Sequence, residues 1–376
     1  MYAERAFALF LAALAGRVQR LVVVGRLRPD GGSSRYRLPE GTDFIALPYY
    51  ERLAQPVTAS VAMARSLRAF WRGLDDVDAV WLLGPHPLAL IFALIAGLRR
   101  RRLILGVRQD LVAYMGSRYP GRFLPLLAAR GLDAAYRGLG RLCPVIVVGP
   151  ALAARYGRSP RLLDIAVSLV SEDEVAAAGE IDREYGGELR ILSVGRLEQE
   201  KNPTMLADVL AGLQVAGDND WRLVVCGEGP LADALQGRLE ELGVADRAEL
   251  RGYVQHGDAM REAYASAHAL LHVSWTEGLP QVIVEALASR LPTVATDVGG
   301  IGDAVGPAAI LIPPGDPAAA IAALRRIGDD PELRATLADA GTDYALEHTL
   351  EAEVGRVARF MNGDTSSQSG PGRPQS

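Results

Sequence analysis

Short apolar runs alternate with Ala- and Leu-rich helical stretches along the whole 376-residue chain. In the first half the strand-like runs are "LVVVG" (21–25), "FIALP" (44–48), "AVWLLG" (79–84), "RLILGV" (102–107) and "VIVVG" (145–149). In the second half they are "LRILSVG" (189–195), "RLVVCG" (222–227), "AELRGYV" (248–254), "ALLHVS" (269–274), "PTVATDV" (292–298) and "AILIP" (309–313). This alternation predicts parallel, doubly wound α/β sheets covered by helices on both faces. The length exceeds what one hydrophobic core usually supports, so two domains are expected. The polar, glycine-bearing "AAAGEIDREYGGE" (176–188) divides them, giving domains at 1–178 and 187–345. A helix is expected over 346–361, and the tail "NGDTSSQSGPGRPQS" (362–376) has linker composition and is expected to be disordered.

Doubly wound sheets take ligands at the carboxyl ends of their strands. The residues that follow the second-half strands therefore carry the chemistry. "RILSV" leads into Gly195, Arg196 and, five residues on, Lys201; "RLVVC" leads into Gly227, Glu228 and Gly229. "AELR" is followed by Gly252, Tyr253 and Val254, "LLHVS" by "WTEGLPQ", and "PTVAT" by "DVGGIGD". One such loop is common by chance, but the ordered set describes a crevice that receives a polar ligand close to backbone.

Within that set, "EGLPQVIVEAL" places Glu277 and Glu285 eight positions apart. Pro280 fits the first turn of a helix through "QVIVEALAS", whose unpaired N–H groups then form an anion seat. Glu277 stands before that turn and can accept from ligand hydroxyls. Glu285 is flanked by Val282, Ile283, Val284, Ala286 and Leu287. Glutamate is almost never fully buried without a partner, so Glu285 reads as a half-buried acceptor for a vicinal diol. Arg196 and Lys201 would neutralise a diphosphate between the two carboxylates. Ribose, diphosphate and sugar in that order describe a nucleotide-diphosphate sugar. His268 and His272 flank a strand at a spacing that shares a face only on a helix, and both read as structural.

Composition sharpens this picture in two places. Of 40 Lys and Arg only Lys201 is lysine, in a chain whose arginines suggest G- and C-rich codons. A solitary lysine fits a compact charge on a phosphate, a role that arginine fills differently. The net charge of −5 hides an asymmetry: residues 1–170 hold 24 Arg against 11 acids, whereas residues 171–376 hold 16 bases against 34 acids. A basic first half suits an anionic membrane surface or a phosphate-bearing acceptor. Nucleic acid is not expected, since no binding motif accompanies the charge. Cys143 and Cys226 lie in or beside strand-like runs and read as buried thiols of a reducing compartment. No signal peptide is legible, and "PLALIFALIAGL" (87–98) is too short to span a bilayer.

The ordered set resembles the retaining glycosyltransferases of family 4. "EGLPQVIVEAL" is similar to that family's E-x7-E motif and "VGRLEQEKN" to its Gly-Arg…Lys diphosphate clamp. "VVCGEGP", "LRGYV" and "PTVATDVGG" fall in the family's order, so the likeness is clear over residues 189–315. The resemblance implies a GT-B fold: two Rossmann-like doubly wound domains facing a deep interdomain cleft. It implies Glu285 on the ribose hydroxyls, Arg196 and Lys201 on the diphosphate, and Glu277 with the backbone of Gly278 and Leu279 on donor sugar and phosphate. The backbone of Gly252, Tyr253 and Val254 would meet the base, and Gly195, Gly227, Gly229 and Pro280 complete the donor contacts. It further implies front-face transfer of a hexose-type unit, in which the leaving diphosphate takes the acceptor proton. Neither a metal nor another cofactor is required when Arg196 and Lys201 balance the charge. The segment 330–361 would end by crossing back onto the first domain.

The first domain should hold a saccharide or lipid-linked acceptor at the cytoplasmic face of the cell membrane. Relatives open on a strand and a glycine-rich loop, whereas this sequence opens on the helical "MYAERAFALFLAALAG". Met1 is therefore expected to be an internal methionine. Where many relatives carry a catalytic histidine, "LGVRQD" has Arg108, Gln109 and Asp110, while His86 in "LGPHP" ends the preceding strand. His86 and Asp110 are the first-domain candidates for catalysis, with a capping or packing role open for His86. The "DVD" at 76–78 directly precedes a strand and reads as a turn. Two rival functions stay open: an epimerase or phosphorylase on the same donor, and a binding or scaffold subunit that has lost acceptor chemistry.

Overall fold

The computed structural model describes residues 2–3, 7–27, 36–37, 42–48, 56–179, 181–216 and 220–363. Met1 and the tail from 364 onward, on which two of the expectations bear, lie outside the described residues. The first half contains β1 (Tyr2–Ala3), α1 (Phe7–Ala15), β2 (Val22–Leu27), β3 (Tyr36–Arg37), β4 (Asp43–Pro48), α2 (Pro56–Gly73) and β5 (Ala79–Gly84). It continues through α3 (Pro87–Leu98), β6 (Arg102–Val107), α4 (Leu111–Arg118), α5 (Phe123–Gly140), β7 (Val145–Val148), α6 (Pro150–Tyr156), β8 (Leu162–Ile165) and α7 (Glu172–Ala178). Strands β5, β6, β7 and β8 form one parallel sheet in that order, β2 and β4 form a parallel pair, and β1 pairs antiparallel with β3.

The second half runs β9 (Glu188–Val194), α8 (Met205–Ala216), β10 (Asp220–Cys226), α9 (Ala232–Glu241), β11 (Ala248–Gly252), α10 (Asp258–Ser266) and β12 (Ala269–His272). It closes with α11 (Gln281–Ala288), β13 (Thr293–Thr296), α12 (Ile301–Val305), β14 (Ala309–Ile312), α13 (Pro317–Asp329), α14 (Pro331–Glu347) and α15 (Leu350–Asn362). Its six strands are all parallel in the order β11-β10-β9-β12-β13-β14. The chain winds outward from β9 to β11, then returns to the other side of β9 at β12. That reversal opens a crevice at the carboxyl ends of β9 and β12, where doubly wound sheets take their ligands.

Each predicted apolar run overlaps a strand, because β-branched residues buried on both faces leave continuous apolar stretches. Strand β8 was not among the predictions: Asp164 interrupts its apolar run, yet that carboxylate is taken up locally by the Gly149 N–H, 2.8 Å away. Burial pushes the Asp164 carboxyl up to about 6, against the Gly149 bond and the Arg356 guanidinium. Helix α7, expected to close the first domain, packs on α11 and α14 of the second, with Val170 and Val175 buried against Ala288 and Ala345.

Helix α15 returns to the first domain and lies on α1 and β8. Arg102 and Arg161 donate to the carbonyls of Met361 and Phe360 at 3.0 and 3.4 Å. Glu353, fully buried, accepts from the Ala166 N–H at 3.2 Å and pairs with Arg356 at 2.9 Å. One apolar cluster runs from Phe10 and Leu14 of α1 through Ile146 and Ile165 to Ile283 and Val354, so the two halves share buried surface. Cys143 and Cys226 are both buried and unpaired. Among the described residues no helix is long and apolar enough to cross a membrane.

Phe10 stacks on Phe7 at 5.5 Å between centroids and has no exposed surface. Phe10→Ala should therefore cost about 3–5 kcal/mol. A melting curve should show it as a lowered transition, and an unchanged transition would mean that α1 does not anchor α15.

Candidate functional site

The loops leaving β9 and β12 face each other at the reversal point. The first carries Gly195, Arg196 and Lys201; the second carries Ser274, Glu277 and the Gly278–Leu279–Pro280 turn. Lys201 Nζ donates to Glu277 Oε1, and His272 Nε2 lies 3.0 Å from the same oxygen. Ser274 Oγ is 3.2 Å from His272 Nε2. Burial alone would raise the Glu277 carboxyl, but the Lys201 ammonium and the His272 bond reverse this and hold it well below its ordinary 4.5.

His272 thus belongs to the site, although its spacing to His268 reads as structural. His268 directly precedes β12 and His272 ends it, whereas the partner of His272 lies five residues on, in the loop. Its sequence signal is the run "HVSWTE", which carries an imidazole off a strand end toward Glu277. His272 is 5% exposed and its Nδ1 has no hydrogen-bond partner among the described residues. His268 instead bonds backbone, with Nδ1 accepting from the Arg190 N–H at 3.0 Å.

Arg196 is more open than Lys201 and also finds carboxylates. Its Nη1 donates to Glu198 Oε2 and its Nη2 to Glu200 Oε1 at 3.2 Å. From the first domain, Arg118 at the end of α4 donates to the same Glu198 oxygen at 2.9 Å. Burial pushes the Glu200 carboxyl up, helped by its neighbour Glu198. The Glu198 carboxyl is held below its ordinary value despite burial, by its bond to Glu200 and by the Arg196 and Arg118 guanidiniums. Glu198, Glu200 and Arg118 were not among the sequence candidates.

The second glutamate of the motif faces elsewhere. Glu285 Oε2 accepts from the Tyr264 hydroxyl at 2.7 Å, and Oε1 is 3.8 Å from His256 Nδ1. Burial pushes the Glu285 carboxyl above its ordinary value, against the Tyr264 bond and the attraction of His256. This carboxyl lines a cavity of about 600 Å³ together with His256, Gly257 and Tyr264, walled by α7, α10 and α11. Arg196, Lys201 and His272 line a separate recess of about 20 Å³. Glu277 and Glu285 therefore have different partners.

Pro280 does not occupy the first helical turn. Its ψ of 128° is extended, so it is the N-cap and α11 begins at Gln281. The extended residue keeps the preceding turn in the loop, pressed against the first domain: a Cβ on Gly278 would lie 2.9 Å from the Arg108 carbonyl. Only glycine fits there. Gly227 has a different reason, since its Cβ would meet the Gly195 carbonyl at 1.8 Å. The two glycine loops are joined backbone to backbone, Leu197 N–H donating to the Glu228 carbonyl at 3.0 Å, and Gly229 packs on Leu197 in the same contact. Gly252 and Val254 leave β11 beside Tyr253, whose side is 37% exposed; Leu279 is buried.

Both first-domain candidates are helix caps. His86 Nδ1 accepts from the Leu88 N–H at 3.2 Å to cap α3, and its Nε2 lies 3.3 Å from Arg26. Burial, and then Arg26, lower the imidazole's pKa, so it stays neutral at pH 7. Asp110 caps α4 by accepting from the Val112 and Ala113 N–H groups at 3.0 and 3.1 Å, and pairs with Arg155. The "DVD" residues lie in the turn before β5.

Known proteins resemble this chain in sequence and in fold. A family model described as glycosyl transferases group 1 matches residues 179–344. The chain is 29% identical over 253 residues to 2-deoxystreptamine glucosyltransferase of Streptomyces kanamyceticus, covering 63% of this chain and 65% of that protein. It is 30% identical over 191 residues to alpha-D-kanosaminyltransferase of the same organism, covering 50% and 49%. The match thus spans less than two thirds of either relative's length. Among solved structures, sucrose-phosphate synthase from Thermosynechococcus elongatus superposes with a TM-score of 0.74 at 18% identity, over 94% of this chain and 91% of that one. Anabaena Alr3699/HepE in complex with UDP and glucose gives 0.66 at 16% identity, over 98% and 97%. The fold is GT-B, with two Rossmann-like domains.

Lys201→Met leaves Glu277 buried with only His272 beside it, a change that should cost about 3–5 kcal/mol. Because the folded Glu277 carboxyl is depressed, the unfolded chain binds more protons just below 4.5. The pair's stabilisation is complete above that pH and is lost as pH falls. Melting temperatures taken downward from pH 6 should therefore fall more steeply in the wild type than in Lys201→Met. Parallel curves would show that the pair does not carry this stability.

Proposed function

We propose that this chain is a retaining, metal-independent glycosyltransferase. It would move a hexose-type unit from a nucleotide-diphosphate sugar to a saccharide or lipid-linked acceptor in cell-surface polysaccharide or glycoconjugate synthesis. The observation that carries this reading is the meeting of Arg196, Lys201 and Glu277 at the reversal point of the second sheet, directly under the first domain. Two cations set between carboxylates can exchange those carboxylates for an anionic ligand of similar charge. A diphosphate fits them, and the ribose hydroxyls then fall to Glu285, whose raised pKa and Tyr264 bond suit an acceptor for neutral groups. The similarity to two glucosyl- and kanosaminyltransferases supports the same class.

In the front-face reaction the acceptor oxygen bonds to the sugar's anomeric carbon on the side from which the diphosphate leaves. The carbon–oxygen bond to the diphosphate breaks, and the acceptor proton passes to the departing oxygen. Arg196 and Lys201 stabilise the charge that develops there, as fixed cations do best in a site prepared for it. That pair balances the charge that a divalent ion would otherwise carry. Glu277 and the Gly278–Leu279 backbone hold the sugar.

Membrane contact through the first domain completes the reading. Phe123 and Leu124 open α5 at 66% and 75% exposure, with exposed Arg122 and Arg130 on either side. Each arginine near an anionic surface contributes about 1 kcal/mol. A second reading, a binding subunit without catalysis, is favoured by one observation: His86 and Asp110 are both committed to helix caps. Slow hydrolysis of the donor without acceptor distinguishes an enzyme from that subunit.

The test is a thermal-shift panel of UDP, GDP, ADP and CMP, with and without EDTA. A ligand that binds only the folded form raises the melting temperature by mass action. One nucleoside diphosphate should do so in the wild type, unaffected by EDTA, and fail to do so in Glu285→Ala. No shift with any nucleotide on the folded wild type would overturn the donor site.

A further inference from the structure

Four charged groups meet where α4 of the first domain touches the loop after β9. Arg118 Nη1 donates to Glu198 Oε2 at 2.9 Å and lies 3.8 Å from Glu200 Oε2. Arg196 bonds the same Glu198 oxygen, Oε2, and takes the other oxygen of Glu200, Oε1. Each carboxylate is thus shared by one guanidinium from each domain. Glu200 is only 2% exposed and its Oε2 has no hydrogen-bond partner among the described residues, although Arg118 stands within ionic reach. Arg196 is the open member, with 57% of its side chain exposed against 35% for Arg118. Tyr114 fixes Arg118: Nη1 lies 2.9 Å from the Tyr114 hydroxyl.

This arrangement sets a condition on any anion that engages Arg196. When the guanidinium turns from Glu198 and Glu200 to a ligand, two enclosed carboxylates lose their cation from the same loop. A buried charge stripped of its partner is strongly unfavourable. Arg118 is the remaining guanidinium on that pair, and it approaches from the other domain.

We propose that Arg118 is a positioning residue for the donor diphosphate: the counter-cation from the first domain that holds Glu198 and Glu200 when Arg196 turns to the ligand. This rests on the donor reading given above. It links the donor site to the contact between domains. By reciprocity, whatever strengthens Arg118 on Glu198 favours release of Arg196, and diphosphate on Arg196 tightens the α4 contact. Arg118 itself need not touch the ligand.

Isothermal titration with the nucleoside diphosphate that gives the largest thermal shift tests this on four proteins: wild type, Arg118→Gln, Glu198→Gln and the double variant. Arg118→Gln should bind about tenfold more weakly, because Glu198 then retains Arg196. Glu198→Gln should bind at least as tightly as wild type. The decisive member is the double variant, in which removing the competing carboxylate should restore affinity to within about twofold of wild type. A purely structural role for Arg118 would leave the double variant as weak as Arg118→Gln, or weaker. Equal affinity of Arg118→Gln and wild type, or no restoration in the double variant, overturns the proposal while leaving the donor reading intact. Failure of the wild type to bind any nucleoside diphosphate overturns the donor reading and takes this proposal with it.

Discussion

The site depends on one contact, the bond between Lys201 and Glu277 across the reversal point of the second sheet. The strand order places the two loops there. A lysine and a glutamate enclosed together are stable only as a pair, since each alone is an uncompensated charge in a confined space. His272 adds a third group to the same oxygen, so Glu277 stays ionised across the physiological range. Arg196 repeats the pattern with Glu198 and Glu200. Both cations are thus neutralised by the protein's own carboxylates, and on the proposed reading donor binding is an exchange of partners.

The first domain reaches the same groups. The Gly278 turn presses on the Arg108 carbonyl, and Arg118 reaches Glu198 from α4. Helix α15 fastens the same domain from the other end, through Arg102, Arg161 and the buried Glu353. The two sheets are thus joined both at the crevice and behind it.

Much of this was legible in the sequence. Strands buried on both faces leave unbroken β-branched runs, so their positions and the doubly wound class follow from pattern alone. Glycine and charge at successive strand ends marked the crevice, and Lys201, Arg196 and Glu277 do converge there. What remained illegible was mostly partnership. Glu198 and Glu200 stand between the two cations in "GRLEQEK", but nothing local says that they occupy Arg196. Arg118 lies 80 residues from Glu198 and only the fold brings them together. Strand periodicity does not reveal the meeting of His272 with Glu277, because that side chain leaves the strand end. Pro280 was placed one position too far into its helix, since its fixed φ suits N-cap and first turn alike, and only ψ separates them. Asp164 hid β8 because a carboxylate inside an apolar run reads as a break unless its backbone partner is known.

The central claim is that a nucleoside diphosphate displaces protein carboxylates from Lys201 and Arg196. A crystal structure of the complex with the nucleoside diphosphate that most raises the melting temperature tests it most directly. The account predicts phosphate oxygens within hydrogen-bonding distance of Lys201 Nζ and the Arg196 guanidinium, Lys201 no longer bonded to Glu277, and ribose hydroxyls on Glu285. A diphosphate bound elsewhere, with the Lys201–Glu277 bond intact, would contradict it.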